Sequence, residues 1–322
     1  MGRRTSGATG HLSQNPYPLY NLNLFSFRLM MQFAVNYSPQ AAELVQAGRV
    51  QIDMFKCPPW PELVAEAQGY GPVYVHFSLV VGPGLGDAIT RRGEAPNWEL
   101  VEHFLATTCT THINLHISTN RRHYLDGSPD RELTPERVTE QLIRDVEGVC
   151  RRFGRDRVVV ENGYRSDEVR VLAATFPEVI TQVVEETGCG FLFDLSHARL
   201  ATTYLGRDVF DYIAHLPLAH TREIHLTGIQ HFGPEWVERM RAFGVGEDFL
   251  RPLIGIDMDH LPLSEEDWSF MQWAAEAIRH GAWGQPQLVA LECGGVGPFW
   301  QASIVDGLLD EQLPRLYRLF KT

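Results

Sequence analysis

The sequence predicts an α/β fold: a single (β/α)8 TIM barrel with one long insertion after its seventh strand. Three observations predict it. Eight short apolar runs rich in β-branched and aromatic residues are spread along the chain, segments of helical periodicity separate them, and the last six runs end at or near an imidazole or a carboxylate. Strand and helix alternating over the whole length imply parallel pairing. Eight such repeats suit a closed barrel better than an open doubly wound sheet. All C-terminal strand ends of such a barrel open on one face, and its chemistry sits there.

The runs are QFAVNY (32–37), QIDMF (51–55), PVYVHF (72–77), THINLHI (111–117), RVVVEN (157–162), GFLFDL (190–195), TREIHL (221–226) and QLVALE (287–292). Between them stand helix start signals. Ser38-Pro39, Pro59-Trp60-Pro61 and Thr134-Pro135 each place Pro at a first helical turn, where no N–H is needed, and Asn97 is a side-chain cap. Gly48, Gly154 and Gly188 stand where a helix must stop and turn into the next strand. Later helices read as 176–187, 207–215, 264–281 and 308–320, the third opening on a capping-box pattern with Asp267 in place of the usual Glu.

About sixty residues separate His225 from the last strand, far more than a loop and one helix require. Insertions of that size at a barrel mouth are lids or binding loops. This one brings Asp257, Asp259 and His260 into consideration. Residues 31–322 form the barrel in this reading, and residues 1–30 form a loose N-terminal extension. The first acidic residue is Glu43, so the start is mildly transit-peptide-like.

Composition bounds the function. The chain has 322 residues, 44% of them hydrophobic and 21% charged, an ordinary globular balance for one large domain. A net charge of −12 opposes a non-specific grip on nucleic acid. No apolar run approaches the roughly 20 residues that span a bilayer, and no continuous h-region marks a secretory signal. Five widely spaced cysteines without a Cys-x-x-Cys pair suggest neither a disulfide framework nor a zinc ribbon. A cytoplasmic location is expected.

The strand-end residues are His76, His116, Glu161, Asp194, His225 and Glu292, with His197 three residues after Asp194. In THINLHI, His112, Asn114 and His116 share a face, but only His116 is at the C-terminal end, so His112 reads as structural. Glu161 and Glu292 end strongly apolar strands, where an unpaired carboxylate costs several kcal/mol. A metal or an arginine (Arg28, Arg165 or Arg199) must compensate each. Asp194 has the alternative role of helix cap. Mixed imidazole and carboxylate without thiolate suits iron, manganese, zinc or cobalt. The donors exceed the needs of one ion, so two or three bridged ions are expected, activating water or binding an oxidisable substrate with O2. Glu161, Asp194, His197 and Glu292 are the candidate catalytic residues. The glycine-rich loops 82–86 and 294–297 are either tight mouth loops or a phosphate site.

Ordered motifs then point to a family. LHIS around His116, VVVENGY at 158–164, GCGFLFDLSHARL at 188–200, REIHLTG at 222–228, IDMDHLPLSEEDW at 256–268 and VALECG at 289–294 resemble the DUF692 group. These are multinuclear non-haem iron-dependent oxidative enzymes, the methanobactin biosynthesis oxidase among them, within the wider xylose-isomerase-like barrels. The resemblance implies two or three iron ions and O2-dependent oxidation of a cysteine in a ribosomally made precursor peptide, often with a partner protein that presents the peptide. It implies His76, His116, Glu161, Asp194, His225, Asp257 and Glu292 as ligands. The chain departs from the pattern at Phe77, where the family has glycine, and at His197, where asparagine is frequent. It departs again at Asp257-Met258-Asp259-His260, where Asp-x-His-Asp is usual.

A second reading is a sugar or sugar-phosphate isomerase or epimerase of the xylose-isomerase type, using one Mn, Mg or Zn ion to polarise a carbonyl. A three-zinc abasic-site nuclease is disfavoured by charge. A metal-free peptide-binding barrel is disfavoured because its mouth of carboxylates would repel itself.

Overall fold

The computed structural model describes residues 31–117, 133–164, 171–304 and 307–321. The expected extension 1–30, with Arg28, and the candidate partner Arg165 lie outside the described residues.

The chain opens with β1 (Gln32–Asn36), α1 (Pro39–Gln46), β2 (Met54–Cys57), α2 (Pro61–Gln68), β3 (Val73–Val75), β4 (Leu79–Val80), β5 (Ile89–Thr90) and α3 (Trp98–Thr107). It continues through β6 (Ile113–Ile117), α4 (Pro135–Phe153), β7 (Val158–Asn162), α5 (Pro177–Thr187), β8 (Gly190–Asp194), α6 (Leu195–Leu205), α7 (Val209–Ala214) and β9 (Thr221–Leu226). The remainder holds β10 (Gly228–His231), α8 (Pro234–Ala242), α9 (Glu247–Leu250), β11 (Asp257–Leu261), α10 (Glu265–Arg279), β12 (Leu288–Leu291), α11 (Pro298–Ser303) and α12 (Leu308–Lys321).

The main sheet runs in the order β3-β2-β1-β12-β9-β8-β7-β6-β4-β5. The first and last barrel strands join through Ala34 opposite Ala290. The other seam is closed by a split strand. β3 pairs with β2, whereas β4, three residues further on, pairs with β6 through Leu79–Leu115 and Val80–His116. Apart from β5, a two-residue strand antiparallel to β4, the ends of the ladder are therefore two halves of one strand, and the sheet closes on itself as a barrel of parallel strands.

Alternation along the strands sets what fills the interior. Ala34, Met54, Tyr74, Leu288 and Ala290 pack together as one inner cluster. Two positions on from Ala34, Met54, Tyr74 and Ala290 stand Asn36, Lys56, His76 and Glu292. The other barrel strands add His116, Glu161, Asp194 and His225, so the uppermost layer is almost wholly polar and buried.

The helices form as their capping residues dictate. Thr134 accepts the N–H of Arg137 to open α4, and Val138, Leu142, Val146 and Val149 bury one stripe of that helix. Asp145 on the same helix is also buried, because its carboxylate accepts the N–H groups of Gly82, Gly84 and Gly86 at 2.9, 2.9 and 2.7 Å. Gly148 lets the loop approach, since a Cβ there would sit 1.8 Å from the Gly86 carbonyl oxygen. Ser264 and Asp267 form the expected capping box of α10.

The insertion after β9 is a two-stranded antiparallel sheet, β10 with β11, in which His231 faces Asp257 and Gln230 faces Met258. Phe232, Val237, Met240, Leu250, Met258 and Leu261 give it a small core shared with Phe299 and Ala302 of α11. No helix among the described residues is long and apolar enough to cross a membrane.

Candidate metal centre

The uppermost barrel layer brings six of the sequence-predicted residues together: His76, His116, Glu161, Asp194, His225 and Glu292. Glu161 is at the middle. Its Oε2 lies 3.1 Å from His116 Nε2 and 3.6 Å from His76 Nε2. Its Oε1 lies 3.4 Å from His197 Nδ1 and 3.8 Å from His225 Nδ1. His225 Nδ1 also stands 3.3 Å from Glu292 Oε1 and 3.9 Å from Asp194 Oδ2.

Each imidazole is oriented by the rest of the fold. His116 Nδ1 is 3.0 Å from the Leu79 carbonyl on the neighbouring split strand, and His197 Nδ1 is 2.8 Å from the Asn162 carbonyl. A carbonyl only accepts, so both Nδ1 atoms carry a proton; the His116 Nε2 then presents a lone pair, and the His197 Nε2, which faces Asp259, would present one once a metal displaced its proton. His225 is held the other way round. Its Nε2 is 2.7 Å from Glu223 Oε1, which leaves Nδ1 facing the carboxylates.

Asp194 has both roles that its position allows. Oδ1 accepts from the His197 N–H at 2.8 Å and from Ser196 Oγ at 2.5 Å, which caps α6. Oδ2 is buried without a hydrogen bond. The insertion supplies Asp259, whose Oδ2 is 3.1 Å from His197 Nε2, and His260, whose Nδ1 is 3.2 Å from the Glu292 carbonyl. His260 has φ +61°, a left-handed conformation that no other non-glycine residue adopts among those described. Such strain persists where surrounding structure holds it and clusters at functional sites.

One predicted ligand is not brought in. Asp257 is half-exposed and pairs with His231 at 3.0 Å. It lies two residues, about 7 Å of strand, upstream of Asp259, still outside the mouth.

Of the three candidate arginines, Arg199 alone lies among the described residues. Arg199 binds Asp267, and its Nη2 is 3.2 Å from Glu266, so it does not neutralise Glu161 or Glu292. Sequence reasoning missed two members. Lys56, buried on β2, contacts Glu292 Oε1 through its ammonium. Glu223, fully buried under the layer, accepts from His112 at 2.6 Å, Tyr74 at 2.8 Å and Asn114 at 2.9 Å on Oε2. Strand parity carried both signals: Lys56 follows Met54 by two, and Glu223 precedes His225 by two.

The electrostatics are those of a crowded carboxylate site. Burial pushes the Glu161 carboxyl up to about 7, with Glu292 and Asp194 adding to the rise against His225 and His197. Burial opposes charge on His197, yet Asp194, Asp259 and Glu161 lift it to about 10. Burial raises Glu223 too, but His225 and His112 outweigh it and hold that carboxylate far below its usual range. Above the layer opens a cavity of about 580 Å³. Its walls include Tyr37, Lys56, Trp60, Arg91, Tyr164 and Trp300, and the metal-type side chains His76, His116, His197, Asp259 and His260 reach into it.

The sequence profile described as "RiPP precursor modification enzyme MbnB/TglH/ChrH" matches residues 93–282, more than half of the chain. A UPF0276 protein of Rhizobium meliloti (strain 1021) is 41% identical over 49 residues, a stretch covering 15% of this chain and 16% of that protein. Among solved structures, D-psicose 3-epimerase of Clostridium cellulolyticum H10 is similar with a TM-score of 0.47 and 12% identity, covering 90% of this chain and 99% of the other. A fusion of a xylose isomerase-like TIM barrel with 4-hydroxyphenylpyruvate dioxygenase gives a TM-score of 0.47 at 13% identity, covering 87% of this chain and 42% of that one. At such scores these likenesses carry no argument about chemistry.

Proposed function

The chain belongs to the family of RiPP precursor modification enzymes MbnB/TglH/ChrH, and on that premise we propose that it is an O2-dependent iron oxidase that modifies cysteine in a ribosomally made peptide. The observation that carries the metal part is a set of buried donor atoms without a hydrogen bond: His76 Nδ1, Glu161 Oε2, Asp194 Oδ2 and His225 Nδ1. Buried polar atoms are ordinarily satisfied, and three of these converge on the middle of the layer. Their chemistry fits a cation of the iron, manganese or zinc type.

His76, His116 and Glu161 would hold one ion, and Glu161, Asp194, His197 and Asp259 a neighbouring one. His225, His260 and Glu292 complete the surroundings. Bound iron would supply a Lewis-acidic, redox-active centre through which electrons pass from the cysteine of the peptide to O2. The protein's own part is orientation and exclusion of water. Glu161 faces an imidazole pair with one oxygen and His197 with the other, so it links the two positions. Asn162, Leu79 and Glu223 fix the imidazole tautomers. Trp60 and Trp300 on the cavity wall offer flat apolar surface against which a peptide can be held with its cysteine inward.

A single-metal isomerase or epimerase using Mn, Mg or Zn is supported less well. The loop at Gly82–Gly86, which would have held a sugar phosphate, has its N–H groups taken by Asp145. Only the loop at Gly294 and Gly295 still faces the cavity.

The test is O2 uptake by iron-loaded protein with a panel of cysteine-containing peptides, read together with peptide mass. Uptake with a mass change confined to cysteine, absent when that cysteine is serine, is expected. A protein that takes up one divalent ion and consumes no O2 with any such peptide contradicts the proposal.

A further inference from the structure

Eight strands each place one residue in the uppermost barrel layer, and seven of these are neutral, imidazole or acidic. The eighth is Lys56, six per cent exposed, with its ammonium on Glu292 Oε1. A buried lysine among metal donors is not explained by packing, because it brings a positive charge to positions that would otherwise attract cations.

Four groups of donors are close enough to hold an ion: His76-His116-Glu161, Glu161-Asp194-His197, Asp194-His225-Glu292 and His76-Glu223-His225. The last is already filled. Both oxygens of Glu223 are occupied by His225, His112, Tyr74 and Asn114. In the third, the Glu292 oxygen nearest His225 Nδ1, at 3.3 Å, is the same Oε1 that Lys56 contacts. The first two groups share Glu161; in the first, Arg91 Nη2 stands 3.3 Å from the imidazole atom His116 Nε2, whereas the cation of the third sits on a carboxylate oxygen.

We propose that Lys56 is a built-in cation that takes the place of a third metal ion, holding Glu292 Oε1 and confining the centre to two ions linked by Glu161. This inference rests on the metal reading given above and deepens it. A fixed ammonium satisfies Glu292 and repels a divalent ion at the Asp194-His225-Glu292 position, both effects being strong where water is excluded. Lys56 thereby sets how many ions the barrel mouth holds, and which side of the cavity carries them.

The test is a count of ions. Wild type, Lys56→Met, Lys56→Gln and the double variant Lys56→Met/Glu292→Gln are loaded with excess Fe(II) without O2, desalted and analysed by inductively coupled plasma mass spectrometry. Circular dichroism and thermal melting confirm the fold of each. Two ions in the wild type, three in either single variant and two again in the double variant are expected. Any wild-type count other than two overturns the proposal, as does a folded Lys56 variant that binds no more than the wild type. A wild type that binds none removes the metal reading as well, which separates the two failures.

Discussion

Glu223 Oε1 lies 2.7 Å from His225 Nε2, two residues along one face of β9, and this contact decides which nitrogen of His225 faces the carboxylates above it. A carboxylate behind a metal-facing imidazole fixes the tautomer and raises the basicity of the ligand. Glu223→Gln keeps the shape and some of the hydrogen bonds but loses the charge. In the Lys56→Met background, where His225 would join a third ion, affinity for that ion is expected to fall about 10–100-fold, read by competition with a chromophoric chelator. Unchanged affinity would place His225 outside the metal's reach.

Glu223→Ala is expected to act on the fold instead. It leaves His112, Tyr74, Asn114 and His225 facing a buried void. Breaking such a network costs about 3–5 kcal/mol, visible as a lower urea midpoint in metal-free protein.

Asp145 makes a separate prediction at the other end of the mouth. Its carboxylate holds three N–H groups of the loop at Gly82–Gly86. Asp145→Ala leaves those donors without their acceptor, at about 1–3 kcal/mol for each one that stays buried. Urea denaturation should show the loss, and hydrogen exchange should show it first at Gly82, Gly84 and Gly86.

The metal-free protein should lose stability as pH rises above about 6.5; below that, His76 and His116, which burial holds well below the usual imidazole range, gain stability with rising pH and oppose Glu161. Burial raises Glu161 from its ordinary 4.5 to about 7, so its stabilisation is complete below about 4.5 and is lost as pH climbs through 7. His197, raised from 6.5 to about 10 by its carboxylate neighbours against burial, continues the decline from about 6.5 to 10. Thermal melts in chelator from pH 6.5 to 9 should fall by an amount equal to a few kcal/mol, and Glu161→Gln should flatten the part of the fall near pH 7. Metal-loaded protein should show the opposite slope, because ligands must lose protons to bind.

Much of this was legible in the sequence, for a physical reason. A barrel strand ends where its apolar run ends, and a carboxylate or imidazole at that point has few uses other than a site, so His76, His116, Glu161, Asp194, His225 and Glu292 stood out. Lys56 did not, because the second run reads as ending at Phe55 and because lysine donates nothing to a metal; its partner Glu292 is 236 residues away. Glu223 was hidden within its own strand, its role depending on Tyr74, His112 and Asn114 from two other strands. Helix α6 was missed because Asp194 reads first as a ligand, although it is at once a ligand candidate and a helix cap. Asp257 and Asp259, two apart on one strand, look equivalent in sequence, until the hairpin sets Asp257 on His231 and Asp259 on His197.

The measurement that bears most directly on the central claim is elemental analysis of protein purified without O2 or chelator, wild type beside Glu161→Ala. Glu161 is the carboxylate between the two imidazole groups, so its loss should empty the centre while the barrel still folds. More than one iron per chain in the wild type, lost in the variant, is the predicted result. A single manganese, magnesium or zinc ion, or the same metal content in both proteins, would contradict it.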